Sequence, residues 1–257
     1  MFQIALLTDF GYKDGFVGSM KGVIQRIHPS VPIIDLSHEI QSFDILEASL
    51  VLNASFSYFP RDTIFICVVD PGVGTEREAI IVQTEKYFFV APNNGVLTLP
   101  LKTQEIKKVV KIENPQFYIE TDTQTFHGRD IFAPAGAYLS KGVPIENFGN
   151  PLPLEKLVFI DFPEPEIQND LIIGEILRFD KFGNALTNIK NLPEKFKAFV
   201  KNYEISKVSK NFLEGEKDKP NLIKGSFGFY EIFVPQGSAE DRFKLEKGEK
   251  IRIKVEE

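Results

Sequence analysis

The chain has 257 residues, of which 43% are hydrophobic and 24 are Phe, enough for a packed core and against a disordered segment. Its formal net charge of -6 argues against nucleic acid or an anionic membrane as partner. The single Cys67 excludes an internal disulfide framework and a cysteine-rich zinc site; with no basic leader pattern at Met1–Asp9 and no apolar run of bilayer length, the cytoplasm is the expected compartment.

Phe2 to Thr8 reads as a first strand, closing on Asp9-Phe10-Gly11-Tyr12-Lys13-Asp14-Gly15. Two carboxylates in a glycine-containing turn can accept hydrogen bonds from vicinal hydroxyls, and Asp14 is equally suited to cap the helix that follows. That helix is predicted from Phe16, Val17, Met20, Val23, Ile24 and Ile27, and His28-Pro29 stops it. A second apolar run, Val31 to Leu36, precedes His38, which stands either in a pocket or in solvent. Asp44 with Glu47 marks the start of a second helix, running to about Phe59.

Thr63 to Val69 is a buried strand in which Cys67 is a small core residue. An acid, a proline and two glycines follow in Asp70-Pro71-Gly72-Val73-Gly74-Thr75-Glu76-Arg77, at the strand end where open α/β sheets bind ligands. Asp70 and Arg77 either act on one small molecule or hold the loop by an ion pair. Ala79 to Gln83 and Tyr87 to Val90 are shorter strands, followed by Ala91-Pro92-Asn93-Asn94-Gly95, where Asn93 suits a turn and Asn94 becomes a ligand candidate if neighbouring loops converge. This β-α-β-α-β order predicts a layered α/β domain with a mainly parallel sheet over 1–155.

In Phe126-His127-Gly128-Arg129-Asp130, His127 sits on a loop before a helix start; an unperturbed imidazole there can transfer a proton near neutrality, and the ring is either catalytic or structural. Arg129 and Asp130 can fix that loop by an ion pair, with Asp130 also capping the helix. A proline-rich linker is placed at 156–169, and a smaller, barrel-like β domain at 170–257, with strands at Leu171–Phe179, Ile205–Val208, Phe227–Val234 and Ile251–Val255. Within it, Asp180-Lys181-Phe182-Gly183-Asn184 is a polar turn whose Phe182 either stacks on a flat ring or enters the core, while Asn184 can bond a polar end. Ser226 and Glu231 lie in an aromatic strand-like run, and Glu231 either anchors an amine or stands on the solvated face. No dinucleotide or triphosphate glycine pattern and no metal-ligand spacing occurs, so neither cofactor nor metal is expected.

Taken together, these segments resemble the S-adenosylmethionine (SAM) hydrolases, also called SAM hydroxide adenosyltransferases, relatives of the bacterial fluorinating and chlorinating enzymes. Leu6-Leu7-Thr8-Asp9-Phe10-Gly11, Val69-Asp70-Pro71-Gly72-Val73-Gly74-Thr75, Ala91-Pro92-Asn93-Asn94-Gly95, Phe126-His127-Gly128-Arg129-Asp130 and Phe182-Gly183-Asn184 carry the resemblance. It implies an N-terminal α/β domain, a C-terminal β domain, and homotrimers binding SAM between the N-terminal domain of one subunit and the C-terminal domain of the next. It also implies hydrolysis of SAM, as substrate, to adenosine and methionine by attack at ribose C5′. Asp70, Arg77 and His127 are then the water-activating group; Asp9 and Asp14 map to the ribose and nearby polar contacts, and Asn94 is a further SAM-binding candidate. Phe182 and Asn184 map to the adenine end, with Asp180 beside them as a SAM-binding candidate, and Ser226 and Glu231 map to the methionine end or its surroundings. Tyr230 and Phe233 depart from the aliphatic-and-small stretch usual at that place. The rivals are halide-dependent SAM cleavage, whose enzymes lack the Asp, Arg and His group, and a non-catalytic adenosine or SAM binder.

Overall fold

The structure, a computed structural model, describes residues 2–256 and falls into two units, Met1–Asp161 and Phe162–Glu257. In the first unit the chain runs β1 (Gln3–Thr8), α1 (Phe16–Ile27), β2 (Ile33–Ser37), α2 (Ile45–Ser55), β3 (Thr63–Val68), β4 (Ala79–Thr84), β5 (Phe88–Pro92), α3 (Thr98–Lys102), β6 (Ile106–Lys111) and α4 (Ala133–Ser140). The strands form one sheet in the order β2-β1-β3-β5-β4-β6, with β2, β1, β3 and β5 parallel and β4 antiparallel to both its neighbours.

The unbroken apolar run of β3 follows from its place inside the sheet. Ile64, Ile66 and Val68 join Ile4 and Leu6 in a core with Met20 and Ile24 of α1 and Ala133 and Ala137 of α4. Phe65 and Cys67 point the other way, with Ala5 and Leu7, into a second core with Ala48 and Leu52 of α2. Gly136 lets α4 approach closely: a Cβ there would lie 2.4 Å from Ile66 Cδ1.

Helix ends show where local chemistry rules. Asp44 caps α2 as predicted, accepting the Glu47 N–H at 2.9 Å. Asp14 does not cap α1: Gly15 occupies the N-cap position without a side-chain bond, which leaves Asp14 one residue too early and exposed.

The second unit contains β7 (Glu166–Gln168), β8 (Leu171–Phe179), β9 (Ala185–Thr187), β10 (Phe196–Val200), β11 (Tyr203–Ile205), β12 (Val208–Ser209), β13 (Asn221–Lys224), β14 (Tyr230–Phe233), α5 (Ala239–Phe243) and β15 (Lys250–Val255). Its strands curl into a half-barrel, in the order β11-β10-β15-β8-β9-β14-β13-β12 with β7 beside β8. Long β8 serves both halves, pairing with β15 over Leu171–Glu175 and with β9 beyond an irregularity between Ile176 and Arg178. Two predicted strands are corrected. Ile205–Val208 is divided between β11 and β12, and Phe227–Val234 begins only at Tyr230, because Gly228 (φ +83) donates its N–H to Gly225 O in a turn.

Candidate active site

Parallel pairing of β1 and β3 sets Thr8 opposite Val68, so Asp9 and Asp70 leave the sheet side by side. The chain order passes from β1 outward to β2 and then to β3 on the other flank, which makes this strand end a switch point. A cavity of about 600 Å³ opens there, with Asp9, Asp70 and His127 in its wall. The other wall is aromatic. Phe10, Phe16 and Phe126 meet edge to face with centroids 5.1–5.8 Å apart, and the Arg129 guanidinium lies over Phe126 at 5.0 Å.

Asp70 begins a tight turn in which Val73 N–H donates to Asp70 O and Thr75 N–H to Gly72 O. The turn returns the chain so that Arg77 faces the Asp70 carboxylate. Arg77 Nε lies 3.0 Å from both Asp70 oxygens and Nη2 lies 2.5 Å from Oδ2, with the two side chains only 11% and 4% exposed. The same Nη2 is 2.6 Å from His127 Nδ1, and the guanidinium stacks over Phe132 at 5.3 Å. An arginine can only donate, so Nδ1 accepts and neutral His127 carries its hydrogen on Nε2. His127 immediately precedes a π-helical turn, Gly128–Phe132, in which Ala133 N–H donates to Gly128 O and which runs on into α4. Asp130 does not cap that helix. Its buried carboxylate is taken up by Arg129, Nε at 2.6 Å and Nη2 at 2.9 Å.

Burial, reinforced by the Arg77 charge, holds the His127 imidazole below its ordinary range, so the neutral ring is favoured. Burial raises the Asp9 carboxyl, and the Asp70 charge pushes the same way against a bond from Phe43 N–H to Asp9 Oδ2 at 2.8 Å. Phe43 has φ +70 and is 69% exposed on the cavity wall, a bulky residue in left-handed backbone beside the site. Sequence reading missed it, because nothing in the residue type announces that conformation.

A second cavity, about 760 Å³, lies in the other unit and gathers Asp180, Phe182, Asn184, Ser226 and Glu231. Asp180 organises it. Its Oδ1 accepts the N–H groups of Phe182 and Asn184, each at 2.8 Å, and its Oδ2 the Asn184 side-chain amide at 2.9 Å. Phe182 is 74% exposed on this lip, so the core placement is ruled out. Glu231 is buried against Gly225, not on a solvated face; burial chiefly, with the Asp180 charge, pushes it up to about 7, opposed by Arg178. Its ionisation is therefore harder in the fold than in the unfolded chain. The associated stability is complete below pH 4.5 and is lost as pH rises through about 7.

Other candidates are placed differently. Asn94 does not line the first cavity: its amide donates to Val69 O at 2.8 Å and its oxygen accepts Val96 N–H at 3.1 Å. Asp14 is outside the lining as well. His38 is neither in a pocket nor in solvent; it is buried, between Thr8 and Asp35. Among the described residues no helix is long and apolar enough to cross a membrane.

Family models for the N-terminal and C-terminal domains of SAM hydroxide adenosyltransferases match residues 4–149 and 174–252. A Thermus thermophilus protein named (R)-S-adenosyl-L-methionine hydrolase is 32% identical, covering 98% of this chain and all of its own. A crystal structure of a conserved Thermotoga maritima protein superposes with TM-score 0.88 at 37% identity, over 98% of this chain and 99% of the other. A protein named fluorinase from Nocardia brasiliensis is 27% identical over 72% of this chain and 70% of its own.

Proposed function

The chain belongs to the SAM hydroxide adenosyltransferase family, and from that premise we propose that it hydrolyses S-adenosyl-L-methionine to adenosine and L-methionine. The observation that carries the reading is the Asp70, Arg77 and His127 cluster at the β1–β3 strand ends, in a chain that matches a named SAM hydrolase over nearly its whole length.

In this reaction a C5′–O bond forms while the C5′–S bond breaks with its electron pair on sulfur, and water gives up one proton. The neutral thioether leaves as methionine. Arg77 locks the Asp70 carboxylate by two donor nitrogens and fixes the His127 tautomer. His127 then donates its Nε2–H to the water oxygen and orients it, while Asp70, on the cavity wall, accepts the hydrogen. A largely buried cluster suits the step: orientation opposite the sulfonium lowers the barrier, and the cationic centre is discharged as the reaction proceeds.

Asp9 takes the ribose hydroxyls from the neighbouring strand end. Asp14 belongs to the rim of that contact, and Asn94 supports the turn, its amide being engaged within the fold. Phe182 and Asn184 receive the adenine, with Asp180 holding their turn, and Ser226 with Glu231 serves the amino-acid end. SAM is bound between the N-terminal unit of one subunit and the C-terminal unit of a neighbour in a homotrimer, which the family resemblance supports; the single cysteine supports a cytoplasmic setting, the net charge of -6 the absence of nucleic acid, and the lack of metal-ligand spacing a reaction without metal or cofactor.

The test is to incubate purified protein with SAM, with and without fluoride or chloride, and separate the products. Adenosine and methionine in the absence of halide are expected. No turnover, or a 5′-halogenated nucleoside formed only with halide, sinks the hydrolase reading.

A further inference from the structure

Behind the β1 strand end lies a hydroxyl, an imidazole and a carboxylate in line, which the reaction above leaves without a role. Thr8 Oγ1 is 2.7 Å from His38 Nδ1, and His38 Nε2 is 3.0 Å from Asp35 Oδ1. Asp35 Oδ2 takes Lys21 Nζ at 2.6 Å and the Tyr12 hydroxyl at 3.1 Å, and the Tyr12 ring edge meets the imidazole at 5.3 Å. The partners set the proton order. The ionised Asp35 can only accept, so His38 Nε2 donates to it; the other ring nitrogen, Nδ1, is then left to accept the Thr8 hydroxyl hydrogen, while Thr8 Oγ1 accepts the Phe10 N–H at 3.2 Å.

These are the residue types of a nucleophile triad, yet Thr8 is 0% exposed and His38 1%, so no substrate reaches the hydroxyl. What the line does reach is the turn that carries Asp9. Three bonds tie that turn to the segment after β2: the His38 ring on Thr8, Gly11 N–H on His38 O at 2.8 Å, and Phe43 N–H on Asp9 Oδ2 at 2.8 Å. Asp9 sits between the first two ties, and Phe10 between them forms part of the aromatic wall. A carboxylate that grips two vicinal hydroxyls must be held in one direction, and a buried, fully bonded imidazole supplies that stiffness.

We propose that Thr8, His38 and Asp35 form a positioning relay that fixes the Asp9–Phe10 turn in its ligand-binding orientation. Its kinetic readout rests on the SAM-hydrolase reading; its geometry does not. Two substitutions divide the relay. In His38→Asn the amide oxygen can stand where Nδ1 stood and keep an acceptor for Thr8, whereas in His38→Gln the amide nitrogen can stand near Nε2 and serve Asp35 alone. Variants with wild-type melting temperatures are assayed for SAM hydrolysis, with Thr8→Val and Thr8→Ser alongside.

Loss of the buried hydroxyl–imidazole bond is expected to raise KM for SAM about tenfold in Thr8→Val and His38→Gln, with kcat changed less. His38→Asn and Thr8→Ser stay nearer to wild type. Equal losses in His38→Asn and His38→Gln, or an unchanged KM in all variants, overturn the relay. If the wild type does not cleave SAM, the functional reading fails separately, and nitrogen-15 NMR reads the relay instead. Supporting results are an unprotonated Nδ1 and a protonated Nε2 on His38, with Asp9 and Phe10 amide resonances moved by Thr8→Val and His38→Gln but not by Thr8→Ser. The opposite tautomer, or amide resonances unmoved in both Thr8→Val and His38→Gln, overturns it.

Discussion

At the scale of single residues, the role proposed for His127 depends on its tautomer. Its Nδ1 is held by a donor, so removing the ring removes an orienting hydrogen bond to water more than a contact with bound substrate. His127→Ala is expected to lower kcat by about 10²- to 10⁴-fold and to change KM little, measured by steady-state hydrolysis of SAM. Comparable kcat in the variant refutes the role. The pH dependence has a definite sign. The imidazole is held below 6.5 by burial and Arg77, so the neutral ring persists into mild acid, and the acidic limb of kcat is expected below pH 6.5. An acidic limb above that value would mean the ring is not shielded as described.

At the scale of elements, the site depends on two connections: the turn after β3 and the π-helical turn before α4. Gly74 has φ +79, and a Cβ there would lie 2.9 Å from Gln124 O, so both conformation and space demand glycine. Gly74→Ala is expected to cost about 1–3 kcal/mol in denaturant unfolding and to reduce turnover with it, since Asp70 and Arg77 are bound by the geometry of this turn. An unchanged unfolding midpoint would contradict that account. Much of the first unit was legible in the sequence because β1 and β3 are apolar runs, each followed by an acid in a glycine-containing turn. The Arg77 to His127 approach was not legible from pattern alone: it crosses 50 positions and exists only through the sheet and the π-helical turn. Phe43 and His38 stayed hidden for a related reason, since a left-handed backbone and a buried hydrogen-bond partner are tertiary facts. In the second unit, β9 to β14 have two to five residues each, too few to show a period, whereas the nine residues of β8 are enough to read as one strand.

At the scale of the whole molecule, most of the candidate site residues fall into two cavities. One unit holds Asp9, Asp70 and His127; the other holds Asp180, Asn184 and Glu231. If the active site is shared between subunits, Asp70→Asn and Asn184→Ala proteins, each nearly inactive alone, should regain activity when unfolded together and reassembled. A mixed trimer then contains sites with both halves intact. Sedimentation analysis gives the subunit number, and a mixture no more active than its parts refutes sharing between subunits.

The exposed ring of Phe182 has an optical consequence. The chain contains no tryptophan, so its intrinsic fluorescence comes from tyrosine and phenylalanine alone. A Phe182→Trp substitution would place a solitary indole on a side chain that is 74% exposed at the cavity lip, where the ring needs no room inside the core. Occupation of that cavity by a purine could then be followed in real time by exciting the indole at wavelengths tyrosine does not absorb, separating ligand arrival from bond cleavage.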